Sequence, residues 1–259
     1  MGVAELLGSP WGMASICAIV LVAGFAHGLS GFGFPVISTP MAALYTDVRT
    51  AVLVTLIPNI VINVISATSG GEWRANLRRH FWMPLYVLAG TIAGTQVVLR
   101  APANALRIFL AVVIVLYLCQ HRLRAIDWMV LARHPRASGL GVGLLGGFLS
   151  GTVNVMLPPL LIYFTTLGLA PVVMTQVLNA CFLVGKVTQA AVFAAHGQFV
   201  PTGLLLTLPV CGVALAGYAA GRRLQPRISM EAYRRIIRGV LWTMAALLML
   251  QAGGLAGKR

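Results

Sequence analysis

Long apolar runs alternate along this chain with short breaks rich in Gly, Pro and Arg. Ten runs stand out, at about 11–29, 34–46, 49–68, 83–100, 104–120, 138–150, 154–167, 170–195, 201–221 and 231–252. A helix needs about 20 apolar residues to cross the ~30 Å hydrocarbon core of a bilayer, and most of the runs approach or exceed that length. The pattern predicts an all-α polytopic membrane protein. The runs at 34–46 and 154–167 are too short to cross as straight helices. Each follows a glycine-rich break, Gly28-Leu29-Ser30-Gly31-Phe32-Gly33 or Gly146-Gly147-Phe148-Leu149-Ser150-Gly151. Pro35 and Pro40 interrupt the first short run, and Pro158-Pro159 opens the second.

The two halves read as a duplication. Leu29-Ser30-Gly31 matches Leu149-Ser150-Gly151 at an offset of 120, and Thr55 and Asn59 match Thr175 and Asn179 at the same offset. Further on, Gly71 and Trp73 resemble Gly197 and Phe199. Pro84, Gly90 and Gly94 resemble Pro209, Gly217 and Gly221, and Arg107-Ile108 resembles Arg235-Ile236. The shared order divides the chain into a first repeat over 1–136, ending in a basic linker at 121–136, and a second over 137–259. Each repeat holds a broken helix pair plus three transmembrane helices.

Composition narrows the class. Apolar residues make up 59% of the chain and charged residues only 9%, against roughly 25% charged in a soluble domain. The mean hydropathy of +0.89 leaves no water-facing surface of ordinary size. Net charge is +14, yet the arginines sit between apolar spans, where the positive-inside rule places them. Nucleic acid is therefore excluded as a partner. If each half makes an odd number of passes, the second is inverted relative to the first. Arg74, Arg78 and Arg79, then Arg122, Arg124, Arg133 and Arg136, then Arg222, Arg223, Arg227, Arg234 and Arg235 fall on one side, with both termini opposite. Cys17, Cys119, Cys181 and Cys211 form no CxxC pair, so neither a zinc site nor a disulfide framework is expected. The N-terminus lacks the basic region of a signal peptide, and residues 11–29 read as a retained helix.

The candidate chemistry gathers at the breaks. Irregular backbone at membrane depth is tolerated where it is buried in protein or lines a cavity. A helix that starts after such a break offers unpaired N–H groups and a partial positive charge to an anion. Ser30, Gly31, Gly33, Ser150, Gly151 and Asn154 are the binding candidates there. A polar stripe on the third run of each half supplies Thr55, Asn59, Asn63 and Ser66, then Thr175, Asn179, Lys186 and Gln189. Of these, Asn59, Asn63, Asn179 and Lys186 join the candidate site. Lys186 lies mid-run, where a lysine costs about 2.5–3.5 kcal/mol on insertion scales. Every acidic residue lies near a loop or tail, which leaves a bound anion as its natural counter-charge. His27, just before the first break, is the candidate for proton coupling. No Walker A motif and no serine–histidine–carboxylate set is present, so an enzyme is not expected, nor is a cofactor or metal.

These features together resemble the sulfite exporter TauE/SafE family of bacterial membrane transport proteins. The resemblance runs from about 14 to 252. It rests on the duplicated glycine-rich breaks, the prolines after each, the small-residue helices carrying Thr55 and Thr175, and the Gly70-Gly71-Glu72-Trp73 and Gly197-Gln198-Phe199 turns. It implies export of sulfite, sulfoacetate or a related organosulfonate or oxyanion. The sequence is therefore read as a multi-pass secondary transporter of the cell (inner) membrane, with a central site between two repeats. Its partners on this reading are a small anionic substrate and membrane lipid, with homo-oligomer formation left open. An anion channel and a non-transporting membrane partner subunit are the alternatives.

Overall fold

The computed structural model describes residues 2–119, 128–199 and 201–254; Arg122 and Arg124 of the basic linker lie outside them. Among the described residues there are thirteen α-helices and no strand. In chain order they are α1 (Val3–Gly8), α2 (Pro10–Ser30), α3 (Phe34–Tyr45), α4 (Val48–Ala67), α5 (Trp73–Arg79), α6 (Trp82–Arg100), α7 (Ala103–Leu118), α8 (Met129–Arg133), α9 (Pro135–Val153), α10 (Leu157–Thr166), α11 (Pro171–Ala195), α12 (Pro201–Leu224) and α13 (Met230–Ala252). All ten apolar runs form helices over their described residues, and six of the described helices are long and apolar enough to cross a membrane. With 12 and 10 residues, α3 and α10 rise only about 18 and 15 Å at 1.5 Å per residue.

Local chemistry sets the helix ends. Ser9 accepts from the Gly12 amide at 3.0 Å and Pro10 occupies the first turn, so α2 starts there. Gly31, with φ 81°, ends it, a left-handed position at which glycine carries no Cβ penalty. Asn154, with φ 62°, ends α9 in the same way. Asp47 opens α4: its carboxylate accepts from the Thr50 amide at 3.1 Å and from the Thr50 hydroxyl at 2.7 Å.

Helix ends in the two halves of the chain also align at a single offset. Gly31 and Asn154, Phe34 and Leu157, and Val48 and Pro171 are each 123 positions apart. The offset of 120 read from matching residues is thus three short of the one that aligns helix boundaries. In the structural register Lys186 corresponds to Asn63, Gln189 to Ser66, and Ser150 to His27.

The chain folds into two compact units that each draw on both halves of the sequence. One comprises Met1–Ile62, Ala101–Leu118 and Gly197–Arg259; the other comprises Asn63–Arg100 and Cys119–His196. In the first, α2 packs along α12. A Cβ added at Gly24, Gly28, Gly217 or Gly221 would strike a main-chain carbonyl, of Ala214, Tyr218, Leu21 and Phe25 respectively. The touching residues advance in the same chain direction on both helices, so the pair is parallel. In the second unit α9 packs along α6 in the same manner. Gly90 and Gly94 meet the carbonyls of Leu144 and Phe148, and Gly147 and Gly151 meet those of Val87 and Thr91. Small residues let the backbones approach this closely.

Each unit has a basic end. In the first, Gly28 packs against Arg222, and the Tyr233 hydroxyl donates to the Ala26 carbonyl at 3.1 Å. Arg222, Arg223 and Arg227 therefore gather where α2 stops. At the other end Arg107 donates to the Thr46 carbonyl at 3.3 Å, Gln251 to that of Leu44 at 3.1 Å, and α1 lies beside Gly203. In the second unit, Gln176 at the start of α11 donates to the Ser69 carbonyl at 2.9 Å and accepts from Asn76 at 2.8 Å. This fixes the turn that carries Arg74, Arg78 and Arg79. Tyr163 of α10 donates to the Pro135 carbonyl, with the Trp82 ring edge-on at 6.4 Å. The starts of α6 and α9 and the far end of α10 therefore lie together.

Candidate functional site

The two breaks are closed by different chemistry. At the first, the Gly31 amide donates to the His27 carbonyl at 2.7 Å and ends α2. The chain turns through Phe32 and Gly33 and restarts as α3, whose Phe34 amide donates to His27 Nδ1 at 3.3 Å. His27 is fully buried, with its ring edge-on to Tyr218 at 5.8 Å. An imidazole that accepts at Nδ1 carries its proton on Nε2, so here the ring caps the short helix. The Ser30 hydroxyl donates to the Ala26 carbonyl at 2.9 Å, and Gly33 lies against Ser30 and Ala26.

At the second break the closing residues come from α11. The Lys186 ammonium donates to Asn154 Oδ1, to Gln189 Oε1 at 2.6 Å and, at 3.5 Å, to the Ser150 carbonyl. Gln189 Nε2 donates to the Gly151 carbonyl at 2.8 Å and the Ser150 carbonyl at 3.4 Å. Lys186 and Gln189 are three apart and so share one face of α11. Together they cover the carbonyls that end α9, the negative end of a helix, where a cation is favoured. Lys186, Asn154, Ser150 and Gln189 are all fully buried. Hydrogen bonds to a charged group are worth about 1.5–3 kcal/mol each, so these contacts offset the ~2.5–3.5 kcal/mol cost of a lysine at membrane depth. Every acceptor named is neutral, and no carboxylate is among them.

The Ser150 hydroxyl is buried and makes no hydrogen bond among the described residues. It lies beside Gly185: a Cβ there would sit 3.0 Å from Ser150 Oγ, 3.3 Å from Met156 Cε and 3.4 Å from Thr91 Oγ1. The missing side chain at position 185 thus lets α11 pack closely against the Ser150 and Thr91 hydroxyls, next in sequence to Lys186.

The structure brings Ser150, Gly151, Asn154 and Lys186 into one cluster, and His27, Ser30, Gly31 and Gly33 into another at the first break. Asn59 and Asn63 are fully buried on α4, in the first and second unit respectively. Asn179 is also buried and donates to the Thr175 carbonyl of its own helix at 2.7 Å. The Thr55 hydroxyl likewise bonds back to the Ala51 carbonyl at 2.7 Å. Gln189 belongs to the polar stripe but not to the residues singled out for the site; its spacing of three from Lys186 was the available signal. Gln176 and Asn76 carried no signal, because their pairing spans a hundred residues. No group of three or more metal-ligating side chains occurs among the described residues.

No curated protein and no solved structure matches the chain. The family described as Sulfite exporter TauE/SafE matches residues 16–248, across both breaks and the helices that close them. With that match over most of the chain, and with six helices apolar enough to cross a bilayer, the protein belongs to the sulfite exporter TauE/SafE family of membrane transporters.

Proposed function

We propose that this protein is a secondary transporter that exports a small oxyanion or sulfonate, with sulfite as the first candidate, across the cell membrane. The observation that carries the reading is the fully buried Lys186 ammonium, held by neutral oxygens with no carboxylate among them. A membrane-embedded charge without a counter-charge attracts an anion of matching size. The unpartnered Ser150 hydroxyl supplies a donor within the same cluster. Broken helices with polar residues at their ends are the usual setting of substrate sites in secondary transporters.

The basic ends are assigned to the cytoplasm by the positive-inside rule. The docking of the turn after α4 on the start of α11 supports two repeats of opposite direction, since these helices occupy equivalent places in the two halves. Outward movement of an anion from a negative-inside cell gains about 2.3 kcal/mol per charge per 100 mV, so export does not require a coupled proton.

Purified protein in liposomes loaded with sulfite should show saturable, electrogenic efflux and counterflow of labelled sulfite against unlabelled sulfite. Conductance without counterflow would replace the carrier with a channel. No flux of sulfite, thiosulfate or sulfonates under any potential would overturn the transport reading.

A further inference from the structure

We infer that the end of α9 is a monovalent-cation site whose resident cation is the tethered ammonium of Lys186. An ammonium has three N–H donors and no acceptor. Three oxygens receive them: Asn154 Oδ1, Gln189 Oε1 and the Ser150 carbonyl. That set, two side-chain amide oxygens and a carbonyl at the C-terminal end of a helix beside a break, is the oxygen chemistry that binds alkali cations in membrane proteins. The orientation of Gln189 is fixed independently of the lysine. Gln189 turns its Nε2 onto the Gly151 and Ser150 carbonyls, which leaves Oε1 facing Lys186. Asn154 is placed by its left-handed backbone, whose N–H donates to the Ser150 carbonyl at 3.2 Å.

The consequence is an exchange of roles. With the lysine present, the positive charge is covalent and the protein has no need of a dissolved cation at this position. With the side chain shortened to alanine, these oxygens lose the ammonium they share and border the volume it occupied. Sodium, or methylammonium as a detached copy of the lysine head, then fills it, with water completing the coordination. On the proposed transport function, this makes flux sodium-independent in the natural protein and sodium-dependent in Lys186→Ala.

The test reads binding first, through thermal stability, which needs no transport. Purified wild type and Lys186→Ala are melted in choline, sodium and methylammonium chloride at equal ionic strength. The expected result is a midpoint for Lys186→Ala that rises by about 3 °C or more in sodium or methylammonium over choline, with wild type unmoved. Equal midpoints for Lys186→Ala in all three salts overturn the inference, and so does a wild type stabilised by sodium to the same degree. Gln189→Leu, which keeps the lysine and removes one oxygen, is the second arm. It should melt below wild type and gain nothing from sodium; an unchanged midpoint overturns the inference even if Lys186→Ala does not fold. Sodium-restored sulfite flux in Lys186→Ala is the functional arm, and its loss alone bears on the transport reading.

Discussion

Gly31 and Asn154 hold the same backbone conformation in the two halves of the chain: each is the left-handed residue that ends a helix, α2 or α9, at a break. Glycine does this without strain, whereas asparagine adds a side chain, and that side chain receives the Lys186 ammonium. One position therefore has two separable duties in the second half and one in the first. Asn154→Gly should keep the turn and lose only the lysine's partner, while Asn154→Ala should lose both. The alanine form should be the less stable of the two by about 1–2 kcal/mol, the cost of a Cβ in the left-handed region. Thermal midpoints of the two variants check this order, and equal midpoints would remove the strain argument.

The glycine stripes of α6 and α9 are expected to be intolerant of bulk. Gly94→Val places side-chain atoms on the Phe148 carbonyl and beside Gly151, and should cost at least the ~1–3 kcal/mol typical of overpacking. Gly141 lies on the exposed face of α9 with nothing near it. Gly141→Ala should leave stability unchanged or raise it by about 0.5–1 kcal/mol. Extraction yield and melting temperature separate the two; similar losses from both would mean that glycine content rather than contact geometry matters.

Acid sensitivity should localise to Asp47. Burial pushes its carboxyl up, but the bonds from the Thr50 hydroxyl and amide and neighbouring backbone outweigh this and hold it below the ordinary carboxylate range. A depressed folded value means that the stabilisation is full above the unfolded pKa of ~3.9 and is lost as pH falls through the folded one. Asp47→Asn should flatten the decline in melting temperature below about pH 4 relative to wild type. Asp47→Ala should cost about 0.5–2 kcal/mol at neutral pH as a lost helix cap. An acid limb identical in wild type and Asp47→Asn would assign the decline to another group.

The sequence carried the ten helices and the two breaks because hydrophobic run length and Gly-Pro punctuation are local signals. It carried the close helix faces at Gly90 and Gly94 and at Gly217 and Gly221, but not their partners. A stripe of small residues says that a backbone comes near without saying which one. The pairing of α2 with α12 and of α6 with α9 joins opposite halves of the chain and has no periodic trace. The register slipped by three for a related reason. Leu29-Ser30-Gly31 and Leu149-Ser150-Gly151 match as letters, whereas the fold aligns the caps, and Asn154 can replace Gly31 in the left-handed position. At the candidate site, Lys186 was visible as a charge without a partner in sequence. Its three oxygens were not, because two of them come from a helix end more than thirty residues away.

Electrogenic sulfite efflux from proteoliposomes in sodium-free choline buffer, wild type against Lys186→Met, tests the central claim most directly. The buried charge at Lys186 is expected to be needed for anion binding, so the methionine variant, folded by its elution profile and melting curve, should lose at least about tenfold in apparent sulfite affinity, a change of ~1.4 kcal/mol. A methionine variant that transports sulfite with wild-type affinity and rate would contradict it.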